Sequence, residues 1–311
     1  MNPQPTEDTA ASRSSGLRLI DSQGFDDYRL LDSGAGRKLE RFGRIVVDRP
    51  EPQAMWQRRR PADQWAKADA VFSGEEDAES GKWRPRGQVP ESWPVRLNEV
   101  TVLGRLSAFR HMGLFPEQLP HWEWMLDGMH RMRGERPRVL NLFAYTGAAS
   151  MLAARAGAEV THVDASKKAI GWAKENQRVS GLEEAPVRWI LEDARKFVQR
   201  EVRRGRAYNV ILVDPPKFGR GPNGEVWELF EHLPGLMRDC AVLLEKPNAM
   251  LVLTAYAIRA SALAIDQVTR EALAGRGGTF VSGELAIREE GGGRAVPTSL
   301  FTRWWSDDLA L

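Results

Sequence analysis

Three aspartates in the second half of the chain, Asp164, Asp193 and Asp214, each follow a short apolar run, and a glycine turn at Gly147 precedes them. A carboxylate at a strand end can accept hydrogen bonds from both hydroxyls of a ribose. Asp164 stands seventeen residues after Gly147, close to the spacing of about 20 between glycine turn and ribose-binding acid in nucleoside-binding folds. The turn itself reads Asn141-Leu142-Phe143-Ala144-Tyr145-Thr146-Gly147. A glycine there lets the backbone pass close to a ligand that a Cβ would obstruct. Ala148-Ala149-Ser150 follows, so the repeated glycines that cradle a pyrophosphate are missing. These residues point to a ligand with ribose and adenine but no phosphate bridge. Asp193 is placed to accept from the adenine amino group, with the Ala194 amide beside it; Asp193 also reads as a helix N-cap, and one residue can do both. In Asp214-Pro215-Pro216-Lys217-Phe218 two prolines remove donors and stiffen the loop, leaving carbonyls for a planar amine or base edge.

Those residues can meet only if the chain between them builds a parallel sheet. From 138 onward the pattern alternates, with strands expected over 139–143, 160–163, 187–191, 208–213 and 249–254. Helices are expected over 148–156, from a Ser166 cap through 176, from an Asp193 cap to Gly205, and over 227–244 and 261–274. Two β-rich stretches, 279–287 and 299–305, end the chain. The expected fold is α/β: a Rossmann-like sheet, mostly parallel with an antiparallel C-terminal edge, joined to a small β-rich N-terminal domain. Ligands of such a sheet bind beyond the carboxyl ends of its strands, which centres the site on 144–148.

Three segments follow: a disordered tail over 1–16, a β-rich substrate-docking module over 17–105, and a catalytic domain over 106–311. In the module, short strands over 28–31, 38–42 and 44–47 are divided by Gly34, Gly36 and Gly43. Trp56, Trp65, Trp83 and Trp93, beside an acidic run over 75–79, can stack on bases or plug a thin core under loops. A net charge of +2 in 311 residues exerts no global pull on a polyanion. A single cysteine excludes an intrachain disulfide and a multi-cysteine zinc site. No metal is expected, nor any membrane span; a reducing, cytoplasmic setting fits, and the oligomeric state stays open.

From about Gly113 onward the chain resembles the bacterial large-subunit (23S) ribosomal RNA methyltransferases, whose best-known members methylate cytosine at C5. The segments that carry this are Gly113-Leu114-Phe115-Pro116-Glu117-Gln118, 141–147, Val163-Asp164-Ala165-Ser166, Asn176, Glu192-Asp193-Ala194 and Asp214-Pro215-Pro216-Lys217-Phe218. The resemblance implies S-adenosyl-L-methionine as cofactor, held by Gln118, Asn141, Phe143, Thr146 and Gly147, by Asp164, Ala165 and Ser166, by Asn176, and by Asp193 and Ala194. It implies an acceptor in ribosomal RNA facing Asp214, Pro215, Lys217 and Phe218. Two departures stand out. The family's Asp-Gln-Arg is Glu117-Gln118-Leu119 here, and its cysteine after the fifth strand is replaced by Thr254-Ala255-Tyr256-Ala257. Cys240 lies in line with Leu236, Leu243 and Leu244 at helical spacing, so it is expected in the core and covalent catalysis at C5 is expected to be closed. Methyl transfer to a protein or a small molecule, and a non-catalytic RNA-binding assembly role, are the rival readings.

Overall fold

The computed structural model describes residues 16–74 and 81–311, except 109, 133, 135, 246, 257 and 310. Residues 1–15 of the expected tail and the acidic run lie outside the described residues. The strands are β1 Arg18–Ser22, β2 Tyr28–Gly34, β3 Arg37–Phe42, β4 Ile45–Pro50, β5 Ala70–Ser73, β6 Lys82–Pro85, β7 Trp93–Leu97, β8 Val100–Gly104, β9 Arg138–Leu142, β10 Glu159–Asp164, β11 Val187–Leu191, β12 Val210–Val213, β13 Phe218–Arg220, β14 Val226–Glu228, β15 Met250–Tyr256, β16 Thr279–Arg288 and β17 Ala295–Trp305. The helices are α1 Ala62–Trp65, α2 Leu119–Arg131, α3 Ala148–Arg155, α4 Lys167–Val179, α5 Ala194–Arg203, α6 Leu229–Leu243 and α7 Ala262–Ala272.

Eight strands form the main sheet in the order β1-β16-β17-β15-β12-β9-β10-β11. Its centre, β15 through β11, is parallel, whereas β17 runs antiparallel to both β15 and β16. This is the expected Rossmann-like sheet with an antiparallel C-terminal edge. The period-2 alternation of side chains feeds two cores. Val139, Val210, Leu212, Met250 and Val252 pack with α2, α3 and the β7–β8 hairpin. Leu140, Ile211, Val213, Leu251 and Leu253 pack with α5, α6 and α7 on the other face. Because both faces are covered, polar side chains of the central strands collect at the carboxyl edge.

The N-terminal segment folds as a five-stranded sheet, β2 to β6, and the β7–β8 hairpin. Two of its tryptophans, Trp65 and Trp93, are buried, and their indoles donate to Asp32 and to the Phe42 carbonyl; Trp56 and Trp83 are partly buried against the core that holds Trp93. β1 belongs to the main sheet, pairing in parallel with β16. The helix expected over 227–244 starts later, at Leu229, because Trp227 is drawn into a hairpin opposite Gly219 and its indole donates to the Pro216 carbonyl at 2.7 Å. No helix among the described residues is long and apolar enough to cross a membrane.

Gly147 caps α3 with φ of 82°, a left-handed conformation costly for a side chain. A Cβ there would sit 2.9 Å from Met151 Cε, 3.3 Å from Ala173 Cβ and 3.4 Å from His162 Cε1. The expectation that this glycine clears space for a ligand is therefore corrected: it serves the turn and the packing beneath it. Gly147→Ala should lower stability by about 1–3 kcal/mol, measured by urea denaturation. A variant within about 0.5 kcal/mol of the parent, the usual scatter of a neutral substitution, would refute that account.

Candidate active site

The loop after β9 turns through three left-handed residues, Phe143, Tyr145 and Gly147. What holds it is the Asp164 carboxylate at the end of β10. Asp164 Oδ2 accepts the Tyr145 amide at 2.8 Å and Oδ1 accepts the Ser166 amide at 2.7 Å. A carboxylate has about four lone-pair sites, so two remain for a ligand. Burial raises its pKa, while these two amides act to lower it. Thr146 is fastened twice, its hydroxyl donating to the Gly113 carbonyl and its carbonyl accepting from the Asn176 amide. Asn141 donates to Ser150, which contacts His162 at 3.0 Å beneath the loop. Ser166 caps α4 and Asp193 caps α5, as expected, through the Ala169 and Lys196 amides. Asp193 Oδ2 makes no hydrogen bond among the described residues.

These groups line one side of a cleft of about 390 Å³. Across it lie Asp214, Pro215 and Lys217 at the end of β12. Thr254, on β15, donates to Asp214 Oδ1 at 2.8 Å, and the Gln118 amide donates to Asp214 Oδ2 and to Thr254 Oγ1, each at 3.3 Å. Burial pushes the Asp214 carboxyl up to about 6, with the Thr254 hydroxyl pulling the other way.

Of the expected residues, Gln118, Asn141, Phe143, Thr146, Asp164, Ala165, Ser166, Asp193, Ala194, Asp214, Pro215 and Lys217 all line this cleft. Asn176 does not; wholly buried, it spans the Thr146 carbonyl and the Leu103 amide and braces the loop from behind. Phe218 points outward on β13, 61% exposed, with Lys217 Nζ 5.2 Å from its ring centre. The expectation of free carbonyls after the prolines also needs correction. Pro216 accepts from the Trp227 indole and Lys217 from the Leu229 amide, because the hairpin folds back on the loop. Thr254, Tyr256, His111 and Glu117 also line the cleft and were not expected to; Glu117, Thr254 and Tyr256 stand in segments where the chain departs from the family, and His111 carries no local signal.

A family model described as conserved hypothetical protein 95 matches residues 124–260. The crystal structure of a SAM-dependent methyltransferase from Agrobacterium tumefaciens is 54% identical, covers 93% of each chain and superimposes with a TM-score of 0.89. The chain belongs to the S-adenosylmethionine-dependent methyltransferases. Ribosomal RNA large subunit methyltransferase I of Klebsiella pneumoniae is 25% identical over 221 residues, 64% of this chain and 53% of that protein. Ribosomal RNA large subunit methyltransferase K/L of Syntrophotalea carbinolica is 31% identical over 147 residues, 47% of this chain and 20% of that protein. The chain thus spans about half the length of the first of these curated relatives and a fifth of the second.

S-adenosylmethionine is the cofactor of this methyltransferase, and the cleft fits it: Asp164 keeps lone pairs beyond those that take the Tyr145 and Ser166 amides, Asp193 Oδ2 has no hydrogen bond among the described residues, and the loop after β9 carries no glycine-rich cradle for phosphate. Cys240 lies in the α6 core, fully buried, where burial pushes its thiol up and away from the reactive thiolate.

The Asp214 carboxyl makes stability depend on pH in a definite sense. Its folded-state value lies above the ordinary 3.8, so the stabilisation is present below about 4 and is lost as pH rises through about 6. Asp214→Asn removes this loss. The variant should gain on the parent by no more than about 3 kcal/mol between pH 4 and pH 7, read from urea denaturation at each pH. Parallel stability profiles would show that burial does not control this carboxyl.

Proposed function

We propose that this methyltransferase acts on ribosomal RNA, by direct methyl transfer without a covalent cysteine intermediate. The observation that carries the reading is the carboxyl of Asp214, held by Thr254 and Gln118 on the acceptor side of the cleft, while the chain's one cysteine is sealed in the core. The RNA acceptor is supported by the names of the relatives above. A protein or small-molecule acceptor, and an assembly factor without activity, are not favoured.

The bound cofactor supplies an electrophilic methyl group on a sulfonium. In this reading Asp164 accepts the ribose hydroxyls, with Ala165 and Ser166 beside it, and Asp193 with the Ala194 amide holds the adenine. Asn141, Phe143 and Thr146 shape the wall, Gly147 makes the turn behind it, Asn176 steadies it, and Gln118 keeps Asp214 in place. Asp214 and Pro215 align the acceptor, so that the protein contributes orientation and exclusion of water. Lys217, exposed at the rim, meets a phosphate, and the exposed ring of Phe218 offers a stacking face. Residues 17–105 act as the docking module, and the working place is the cytoplasm.

Nucleoside mass spectrometry of ribosomal RNA from a strain lacking the protein, before and after incubation with purified enzyme, tests the acceptor. One methylated nucleoside should appear, and Cys240→Ser should produce it at nearly the parent rate while losing some stability to a buried hydroxyl. Adduct formation with a fluorinated cytosine RNA, lost in Cys240→Ser, would overturn direct transfer.

Lys217 is read separately through salt. Lys217→Ala should weaken ribosomal RNA binding and reduce the slope of log affinity against log salt by about one, measured by titration from low to moderate salt. An unchanged slope would remove the phosphate contact.

A further inference from the structure

Beneath the acceptor side of the cleft, two buried cations and two buried carboxylates of the N-terminal segment lie with a third buried carboxylate from the turn before α2. Glu40 accepts from Nε and Nη2 along one edge of the Arg49 guanidinium, whose Nη1 donates to the Arg110 carbonyl, and from the Tyr28 hydroxyl at 2.8 Å. Lys38 donates to Glu51 at 3.0 Å. That spends both cations. The third carboxylate, Glu117, sits on the short turn Pro116–Gln118, is 7% exposed and lines the cleft. Among the described residues no side chain hydrogen-bonds to its carboxyl; its own backbone amide is the one such contact. A buried carboxylate left unpaired is costly, and groups so placed in a cleft are candidates for function. The same turn presents Gln118 to Asp214, so a single short segment sets two carboxyls on the floor of the cleft.

Four aromatic rings, tilted against one another, line the same cleft as Glu117. His111 and Phe115 have ring centres 5.0 Å apart, His111 and Tyr256 6.2 Å, and Phe115 and Tyr145 5.5 Å. Tyr256 has its hydroxyl engaged by Arg110 at 2.8 Å. A cleft lined by aromatic rings and holding one carboxyl without a side-chain partner suits a planar ring that presents an N–H. We propose that Glu117 is a catalytic residue: it binds the N–H edge of a planar, heterocyclic methyl acceptor and takes the proton the acceptor releases.

This rests on the methyltransferase reading above. In the step, the acceptor's nucleophilic atom forms a bond to the methyl carbon as the carbon–sulfur bond breaks, and that electron pair stays on sulfur as a neutral thioether. The proton displaced from the acceptor passes to the Glu117 carboxylate and returns to water when product leaves. Burial holds Glu117 at about 7, with Lys38 and Arg49 lowering it and Glu40 raising it. Tyr28 on β2 and Tyr256 on β15 also feel its charge, and His111 and Asp214 share its cleft.

The test uses the full chain with Glu117→Gln and Glu117→Asp. Single-turnover transfer to ribosomal RNA at pH 7 should fall about 10²- to 10⁴-fold in Glu117→Gln, the range of general-base catalysis, while calorimetry finds S-adenosylmethionine affinity unchanged. The parent rate should rise through a step near pH 7 that Glu117→Gln lacks and Glu117→Asp partly restores. An unchanged rate and an unchanged step in Glu117→Gln would overturn the proposal. A second arm needs no acceptor: in urea denaturation the parent should lose stability relative to Glu117→Gln as pH rises through about 7. If the parent methylates no ribosomal RNA, the RNA reading fails by itself, and a pH-independent stability difference would then overturn the role of Glu117 as well.

Discussion

The carboxylate of Asp164 is the interaction on which the cofactor side of this methyltransferase depends. By accepting the Tyr145 and Ser166 amides it ties the loop after β9 to the start of α4. That loop holds Phe143 and Tyr145 at φ of 55° and 50°, conformations that cost a non-glycine residue of order 1–3 kcal/mol each. Such strain persists only where the surroundings over-determine it. Here they do so three times: through Asp164, through Thr146 on the Gly113 carbonyl, and through Asn176, which joins the loop to β8. The β7–β8 hairpin is therefore part of what shapes this side of the cleft.

Low dielectric governs the other side. Asp214 and Glu117 stand on the same floor, and burial raises both, to about 6 and about 7. Their partners differ. Asp214 has a hydroxyl and an amide, which fix its direction; Glu117 has none from a side chain, since Lys38 and Arg49 are taken by Glu51 and Glu40. One carboxyl is thereby suited to hold and the other to exchange a proton. The network reaches the floor of the cleft from β2, β3 and β4, so the N-terminal sheet sets the charge environment there.

Chemistry at the cleft is constrained by what the core has absorbed. The single thiol packs among Leu236, Met237 and Leu243, and the stretch that stands where the resembling cytosine enzymes carry cysteine, Thr254 to Ala257, puts the ring of Tyr256 on the lining of the cleft. Thr254, two residues earlier, serves Asp214. The strand end is used for positioning and for flat contact, which suits transfer to an acceptor that needs a proton removed and no covalent activation.

Local physics sufficed for much of this. Apolar runs of strand length alternating with helical stripes specified the parallel sheet; Ser166 and Asp193 announced helix starts; Asp164, Asp193 and Asp214 had to fall at the carboxyl edge because both faces of the sheet are buried. Cys240 was legible as core from its spacing with three leucines. Other features lay beyond any local pattern. Gln118 reaches Asp214 and Thr254 across 96 and 136 residues, Asn176 turned out to brace the wall from outside the cleft, and the Pro216 carbonyl was consumed by Trp227. The unpaired state of Glu117 is the clearest case, because it depends on how Lys38 and Arg49 are shared among carboxylates brought together from separate strands. Periodicity and capping act over a few residues and can be read along the chain; the partners of a buried polar group are chosen in space, and only the tertiary structure decides them.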